Sequence, residues 1–273
     1  MTIFVAQHAR RPSAEATAEV VLDDLDSWVS AEAKFVVLPE NAFAGRDGSV
    51  VLPLDLRERC LERLTRLARR RGTYVLTGSW AEERSGGDPV QVTRLLDPSG
   101  AVRAQVERPL LPDGTTGTGD DFPVVETEFG HVGVLLGPDF WLVEPPRIEC
   151  LGGAELLLVA GSLDGREQAA QRAAVWGIAT LNTVAVAFAS SLSDRSGGGS
   201  AVAMPEGFAA EGDTHETVLE APWDLERVRY LREPDLRFQQ TLWFGLWARR
   251  PDLYAALVDG HEAAGHPSRA QVG

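Results

Sequence analysis

The chain has little cysteine, little histidine and no long apolar segment, and each shortage excludes a class of protein. Its two cysteines, Cys60 and Cys150, lie in apolar helical patterns, so we expect reduced, buried thiols rather than a disulfide-bonded scaffold. The five histidines are not spaced as metal ligands and no glycine-rich phosphate motif opens a helix, so we expect no metal and no other cofactor. No apolar run approaches the roughly 20 residues that cross a bilayer, and the N-terminus is typical of a strand rather than a signal peptide, so we expect a cytoplasmic protein.

Positive charge is also scarce. The chain has 26 lysines and arginines against 40 aspartates and glutamates, which gives a formal net charge of −14 at pH 7. Such a surface repels nucleic-acid phosphates and anionic lipid head groups, so we expect no nucleic acid and no membrane as partners. A small-molecule ligand remains compatible with this charge.

Helical and strand patterns alternate along the chain, and no linker separates them. Short apolar runs at residues 35–38 and 156–159 have the length and β-branching of buried strands, whereas residues 55–71 place apolar side chains at helical spacing. This alternation predicts an α/β protein in which two sheets pack together with helices outside them. We predict one domain over residues 1–260 and a disordered tail over residues 261–273.

Four motifs that contain polar residues follow one another in a distinctive order. Each is common by itself, but their order and spacing are specific. In chain order they are Pro39-Glu40 after a buried strand, Glu107-Arg108-Pro109 after a hairpin at residues 90–106, Gly137-Pro138-Asp139-Phe140-Trp141 with Glu144 after a hairpin at residues 123–136, and Arg249-Arg250-Pro251-Asp252-Leu253-Tyr254.

This series resembles the carbon–nitrogen hydrolase (nitrilase) family from the first strand to about Tyr254. The resemblance implies the four-layer α-β-β-α sandwich of that family and a homodimer. It also implies a chemistry in which a cysteine thiolate attacks a carbonyl or nitrile carbon. In that chemistry a glutamate acts as general base and a lysine stabilises the oxyanion.

The resemblance places three catalytic positions on this sequence. Glu40 matches the glutamate, Arg108 falls at the lysine position and Gly137 falls at the cysteine position. Glycine has no side chain that could attack a substrate, so we expect a degenerate member without the nucleophilic cysteine. Many family members also have a second glutamate, but residues 112–119 contain none, and Thr116 lies near that position.

The roles of Glu40 and Arg108 remain open at this point. Glu40 is either a residual acid or base, or a structural carboxylate whose pKa an ion pair with Arg108 would depress. Arg108 is either a bidentate clamp for a ligand carboxylate or phosphate, or a salt-bridge partner of Glu40 alone.

The residues after Gly137 have open roles too. Asp139 is a candidate substitute nucleophile, although an aspartate here more often orders the turn and caps the next helix. Phe140 and Trp141 either line a ligand pocket or fill the volume left by lost catalytic side chains. Glu144 keeps the family pattern and is a further candidate for binding.

We therefore expect a non-hydrolytic pseudoenzyme or small-molecule-binding member of the family. One alternative is a non-thiol enzyme of specialised small-molecule metabolism that acts on a C–N compound. In that case Glu40 would be the acid or base and Arg108 the clamp. Another alternative is a scaffold subunit of a hetero-oligomer.

Overall fold

The computed structural model describes residues 1–48, 50–85, 87–110, 117, 121–162, 168–193, 197–233, 246 and 249–254, and twelve strands and five α-helices lie within them. The first sheet consists of β1 (Thr2–Gln7), β2 (Ala33–Val37), β3 (Tyr74–Arg84), β4 (Gly87–Leu96), β5 (Val102–Pro109) and β12 (Thr217–Pro222). The second consists of β6 (Val124–Thr127), β7 (Gly130–Leu136), β8 (Leu156–Ala160), β9 (Ala185–Ala189), β10 (Ala201–Met204) and β11 (Gly207–Glu211). The helices are α1 (Ala14–Trp28), α2 (Leu54–Arg71), α3 (Glu144–Leu151), α4 (Gln168–Asn182) and α5 (Leu225–Arg232), with short 3-10 helices at Gly137–Trp141 and Pro251–Leu253.

Both sheets have parallel strands at their centre and antiparallel strands at their sides. The strand orders are β12-β1-β2-β3-β4-β5 and β11-β10-β9-β8-β7-β6. β1, β2 and β3 run parallel, and so do β7, β8 and β9. The Glu40 N–H donates to the Gly161 carbonyl at 3.0 Å, which joins the residue stretches that follow β2 and β8. The carboxyl ends of these central strands therefore meet at one end of the sandwich, where functional residues of such sheets collect.

Three apolar clusters define four layers. Phe35, Leu76, Leu136 and Leu158 belong to the cluster that lies between the two sheets. A second cluster joins the first sheet to α1 and α2, and a third joins the second sheet to α3 and α4. The predicted α-β-β-α sandwich is thus confirmed.

Local signals explain the bounds of the first two helices. The Ser13 side chain accepts a hydrogen bond from the Ala16 N–H at 3.2 Å and so caps α1. α2 ends at Gly72, whose φ of +62° is the left-handed conformation that glycine adopts without a Cβ clash.

Of the helices in the described residues, none is long and apolar enough to cross a membrane. The predicted tail at residues 261–273 lies outside the described residues.

Candidate functional site

Glu40 lies in the turn that follows β2. Its side chain is almost buried, with 6% of the residue exposed. The next residue, Asn41, has a φ of +52° and so turns the chain sharply away from the strand direction. The turn thereby leaves Glu40 at the carboxyl end of β2, facing the second sheet.

Gly137 lies directly opposite Glu40, at the first position after β7. A Cβ atom built on Gly137 would lie 2.9 Å from Glu40 Oε1 and 3.2 Å from Oε2. The φ of Gly137 is +51°, a conformation that side-chain-bearing residues adopt at a cost. Any side chain at position 137 would therefore point at the Glu40 carboxylate, and the structure brings these two predicted site residues together.

Arg108 does not form the ion pair with Glu40 that the sequence analysis considered. It has no exposed surface, and its Nε donates to Asp139. Its Nη1 donates to Asp121 Oδ1 at 2.6 Å and to the Glu107 carbonyl at 2.7 Å, and its Nη2 donates to the Asp121 carbonyl at 2.7 Å. Four N–H groups of the guanidinium are therefore committed to these neighbours.

Asp139 was expected to order the turn and cap the following helix, and the capping part of that prediction is wrong. Its side chain is completely buried and accepts from Arg108, while Val143 occupies the N-cap position of α3. Its carbonyl does order the turn, because it accepts from the Leu142 N–H at 3.3 Å. Arg108 donates a charge-assisted hydrogen bond to the Asp139 carboxylate in the interior, and this contact replaces the expected helix cap.

The aromatic residues after Asp139 lie on the helix side of the second sheet. Phe140 is completely buried, and its ring centroid is 4.8 Å from that of Phe188 on β9. Trp141 is half-buried and meets the Phe140 ring edge-on at 5.7 Å. These contacts favour volume filling over ligand contact for Phe140. Glu144 is exposed in the first turn of α3, and Thr116 lies outside the described residues.

Both cysteines are free and buried, as predicted. Cys60 packs between α2 and the first sheet, and Cys150 packs between α3 and the second sheet. Burial raises the pKa of Cys60 to about 12 and that of Cys150 to about 12. Both therefore remain neutral thiols near neutral pH, whereas the thiolate is the nucleophilic form.

Glu149 is a buried acid that the sequence analysis missed. It is completely buried on α3, and its Oε1 accepts from the Val134 N–H at 3.0 Å. Within the described part of the chain, its Oε2 has no hydrogen-bond partner. Burial raises the pKa of Glu149 well above its ordinary value, although the hydrogen bond from the Val134 N–H and the charge of Arg108 oppose this shift. The only available signal was a glutamate between two apolar residues of a short helix.

Solved structures with this fold include a carbon–nitrogen hydrolase from Helicobacter pylori G27. Its TM-score is 0.78 at 22% sequence identity, and the match covers 94% of this chain and 98% of that chain. Another is a mutant of the amidase from Nesterenkonia sp. AN1 that shows covalent addition of the acetamide moiety of fluoroacetamide at the active-site cysteine. Its TM-score is 0.76 at 20% identity, with 94% of this chain and 96% of that chain covered.

Sequence relatives point to the same family. The omega-amidase NIT2 of Xenopus tropicalis is 30% identical over 223 residues, which cover 71% of this chain and 74% of that protein. The N-carbamoylputrescine amidase of Solanum tuberosum is 29% identical over 231 residues, which cover 72% of each chain. The model of the carbon-nitrogen hydrolase family matches residues 3–233, well over half of the chain. This protein therefore belongs to the carbon–nitrogen hydrolase family.

Proposed function

We propose that this protein is a small-molecule-binding member of the family that does not hydrolyse its ligand through a thiol. The observation that carries the proposal is the position of Gly137, whose absent Cβ would point at the Glu40 carboxylate. The two thiols of the chain support it, since both are buried in helical layers and neutral near pH 7. In the bound state, a hydrogen-bond donor of the ligand faces Glu40.

The contacts of Arg108 support the same proposal. A residue that stabilises an oxyanion must direct a hydrogen-bond donor at the reacting oxygen. Arg108 instead directs its donors at the Asp139 and Asp121 carboxylates and at two main-chain carbonyls. It acts as a structural cation between the sheets, and the ligand is held without it.

Turnover measurements test the absence of thiol hydrolysis. Ammonia release from simple amides and carbamoyl compounds is measured for the unmodified protein and for the Glu40→Gln, Cys60→Ser and Cys150→Ser variants. We expect no turnover in the unmodified protein that depends on either cysteine. Turnover that is lost both in Glu40→Gln and in one of the cysteine variants would contradict the proposal and restore thiol chemistry.

Thermal-shift screening of small amides and amines tests the binding role. A ligand at a concentration of 100 Kd stabilises the folded state by about 2.7 kcal/mol, which is readily detected. We expect the stabilisation to disappear in Glu40→Gln and to persist in Glu83→Gln, a matched change at an exposed glutamate of β3. Equal stabilisation of both variants would place the ligand elsewhere.

A second candidate function is non-thiol catalysis at the same carboxylate. It is favoured by the position of Gly137, which places no side chain between Glu40 and a substrate, and the Glu40 carboxylate would then act as the general base. The names of the two sequence relatives, an omega-amidase and an N-carbamoylputrescine amidase, suggest a C–N compound as substrate. Turnover that depends on Glu40 but survives both cysteine substitutions would select this candidate.

We also propose that two copies of the chain associate through the outer faces of α3 and α4. These faces carry exposed apolar side chains, namely Ile148 (47% exposed), Leu151 (47%), Trp176 (46%) and Leu181 (61%). The helices lie side by side, since Arg147 Nη2 donates to the Leu181 carbonyl at 3.0 Å. Joint burial of such side chains is the usual driving force of a homodimer.

Light scattering coupled to size exclusion measures the oligomeric state. We expect a dimer that Leu181→Glu dissociates, whereas Leu54→Glu, at an equally exposed leucine of α2, leaves it intact. A monomer at micromolar concentration would contradict self-association and favour the scaffold alternative, in which the chain pairs with a related subunit.

A further inference from the structure

Two buried polar side chains hold the turn that presents Glu40. Gln91 on β4 donates from Nε2 to Asn41 Oδ1 at 2.7 Å and to Ser79 Oγ at 2.7 Å. Ser79 Oγ in turn accepts from the Asn41 N–H at 3.0 Å. The backbone and the side chain of the residue next to Glu40 are therefore both tied to β3 and β4.

Main-chain hydrogen bonds fix the rest of the turn. The Ser79 N–H donates to the Pro39 carbonyl at 3.2 Å, and the Ala42 N–H donates to the Ser79 carbonyl at 3.1 Å. Immediately after β1, the ring Nε2 of the buried His8 lies 2.6 Å from the Ala42 carbonyl. With these anchors in place, Asn41 is held in its left-handed conformation, and the backbone on both sides of Glu40 is fixed.

Packing alone does not explain why a glutamine is buried at position 91. It is completely buried, and its Oε1 has no hydrogen-bond partner among the described residues. Burying an unsatisfied amide oxygen destabilises a fold, so an apolar side chain would suit this position better if stability were the sole requirement. What Gln91 supplies is a pair of donors for Asn41 and Ser79.

We propose that Gln91 is a positioning residue that, through Asn41 and Ser79, fixes the Glu40 carboxylate over position 137. The inference rests on the proposed role of Glu40 as the ligand-facing group. Gln91 acts on the ligand only through the Glu40 turn, which distinguishes it from a residue that contacts the ligand.

A thiol introduced by Gly137→Cys reports the position of the carboxylate without any need for a known ligand. A negative charge close to a thiol disfavours the thiolate and raises the thiol pKa. The pH profile of iodoacetamide alkylation, followed by mass spectrometry, measures that pKa. The two natural thiols remain silent, because burial raises the pKa of each to about 12.

We expect Glu40→Gln in the Gly137→Cys background to lower the pKa of the introduced thiol by roughly 1 unit or more. Gln91→Met keeps the side-chain length but removes both donors, so it should produce at least half of that shift. Ser79→Ala removes the shared hydroxyl and should shift the pKa in the same direction, which provides a second variant if Gln91→Met folds poorly. Circular dichroism and urea unfolding establish that each variant is folded.

Thr93→Val is the matched control. Thr93 is two residues further along β4, is completely buried, and has a hydroxyl with no partner in the described part of the chain. Thr93→Val should leave the pKa of the introduced thiol unchanged. If Glu40→Gln shifts the pKa of the introduced thiol but Gln91→Met leaves it equal to that of the Gly137→Cys parent, the positioning role is overturned. The proposed function is not overturned by that result. No shift in Glu40→Gln overturns both, because the carboxylate then does not face position 137.

Discussion

Replacing Arg108 by methionine removes a buried cation but keeps a long, unbranched side chain. Arg108 and its partner Asp139 are both completely buried. Breaking a buried ion pair by removing one member costs about 3–5 kcal/mol, because the attraction that offset the desolvation of the remaining charge is lost. We expect Arg108→Met to lower the free energy of unfolding by that amount and to lower Tm by about 6–20 °C.

Asp121 provides the matched control, since it binds the same guanidinium from a position near the solvent. Its side chain is 54% exposed, and its Oδ1 lies 2.6 Å from Arg108 Nη1. Solvent screens such a pair, so its contribution is about 0–1 kcal/mol. Asp121→Asn also keeps the main-chain carbonyl that accepts from Nη2. It should therefore lower the free energy of unfolding by less than about 1 kcal/mol.

Urea unfolding followed by tryptophan fluorescence measures both losses, and a double-mutant cycle with Asp139→Asn isolates the energy of the pair. The double variant should lose less stability than the sum of the two single losses, because the attraction between the two residues is counted in each single loss but is lost only once. A loss below about 1 kcal/mol in Arg108→Met, accompanied by lost ligand binding, would refute this reasoning. Arg108 would then be a ligand clamp rather than a structural cation.

Two further predictions concern the buried acid of α3. Because burial raises the pKa of Glu149, the folded state disfavours its ionised form, and stability is lost as pH rises from the ordinary glutamate pKa through the raised one. Glu149→Gln should therefore flatten the decline of the urea midpoint as the pH rises above the ordinary pKa of glutamate, and an unchanged slope would contradict this. Gly133→Ala would place its Cβ 2.8 Å from Glu149 Cδ. It should destabilise the protein by about 1–3 kcal/mol; the loss should shrink in a Glu149→Ala background, and equal losses in both backgrounds would reject the contact.

Elements with strong local signals could be predicted from the sequence. Ser13 and Gly72 mark helix ends because capping and left-handed conformations depend on a few neighbouring residues. The run at residues 156–159 was assigned correctly because a strand buried on both faces is apolar throughout. β12 (Thr217–Pro222) was missed, because an edge strand mixes polar and apolar residues and is defined by its pairing with β1.

The candidate site could be predicted only in part, because the motifs fix positions along the chain but not contacts between sheets. The approach of Gly137 to Glu40 follows from two strands that both end at the same edge of the sandwich. The partner of Arg108 could not be chosen in this way, since carboxylates from two different segments compete for one guanidinium. Asp139 and Asp121 are 31 and 13 residues away along the chain, and only the packing of β5 on the second sheet brings them to Arg108.

The arginine at position 108 and the glycine at position 137 are both consistent with the proposed function. A lysine ammonium is a compact charge on a flexible stem, and it can follow an oxygen as charge develops there. A guanidinium is a rigid fork that is most stable when several acceptors fill it, as Asp139, Asp121 and the Glu107 carbonyl do here. Under the proposed function no thiol attacks a ligand from position 137, so no tetrahedral oxyanion arises there for a mobile cation at position 108 to stabilise. A cation held by the buried Asp139 and the half-exposed Asp121 instead links the second sheet to the first.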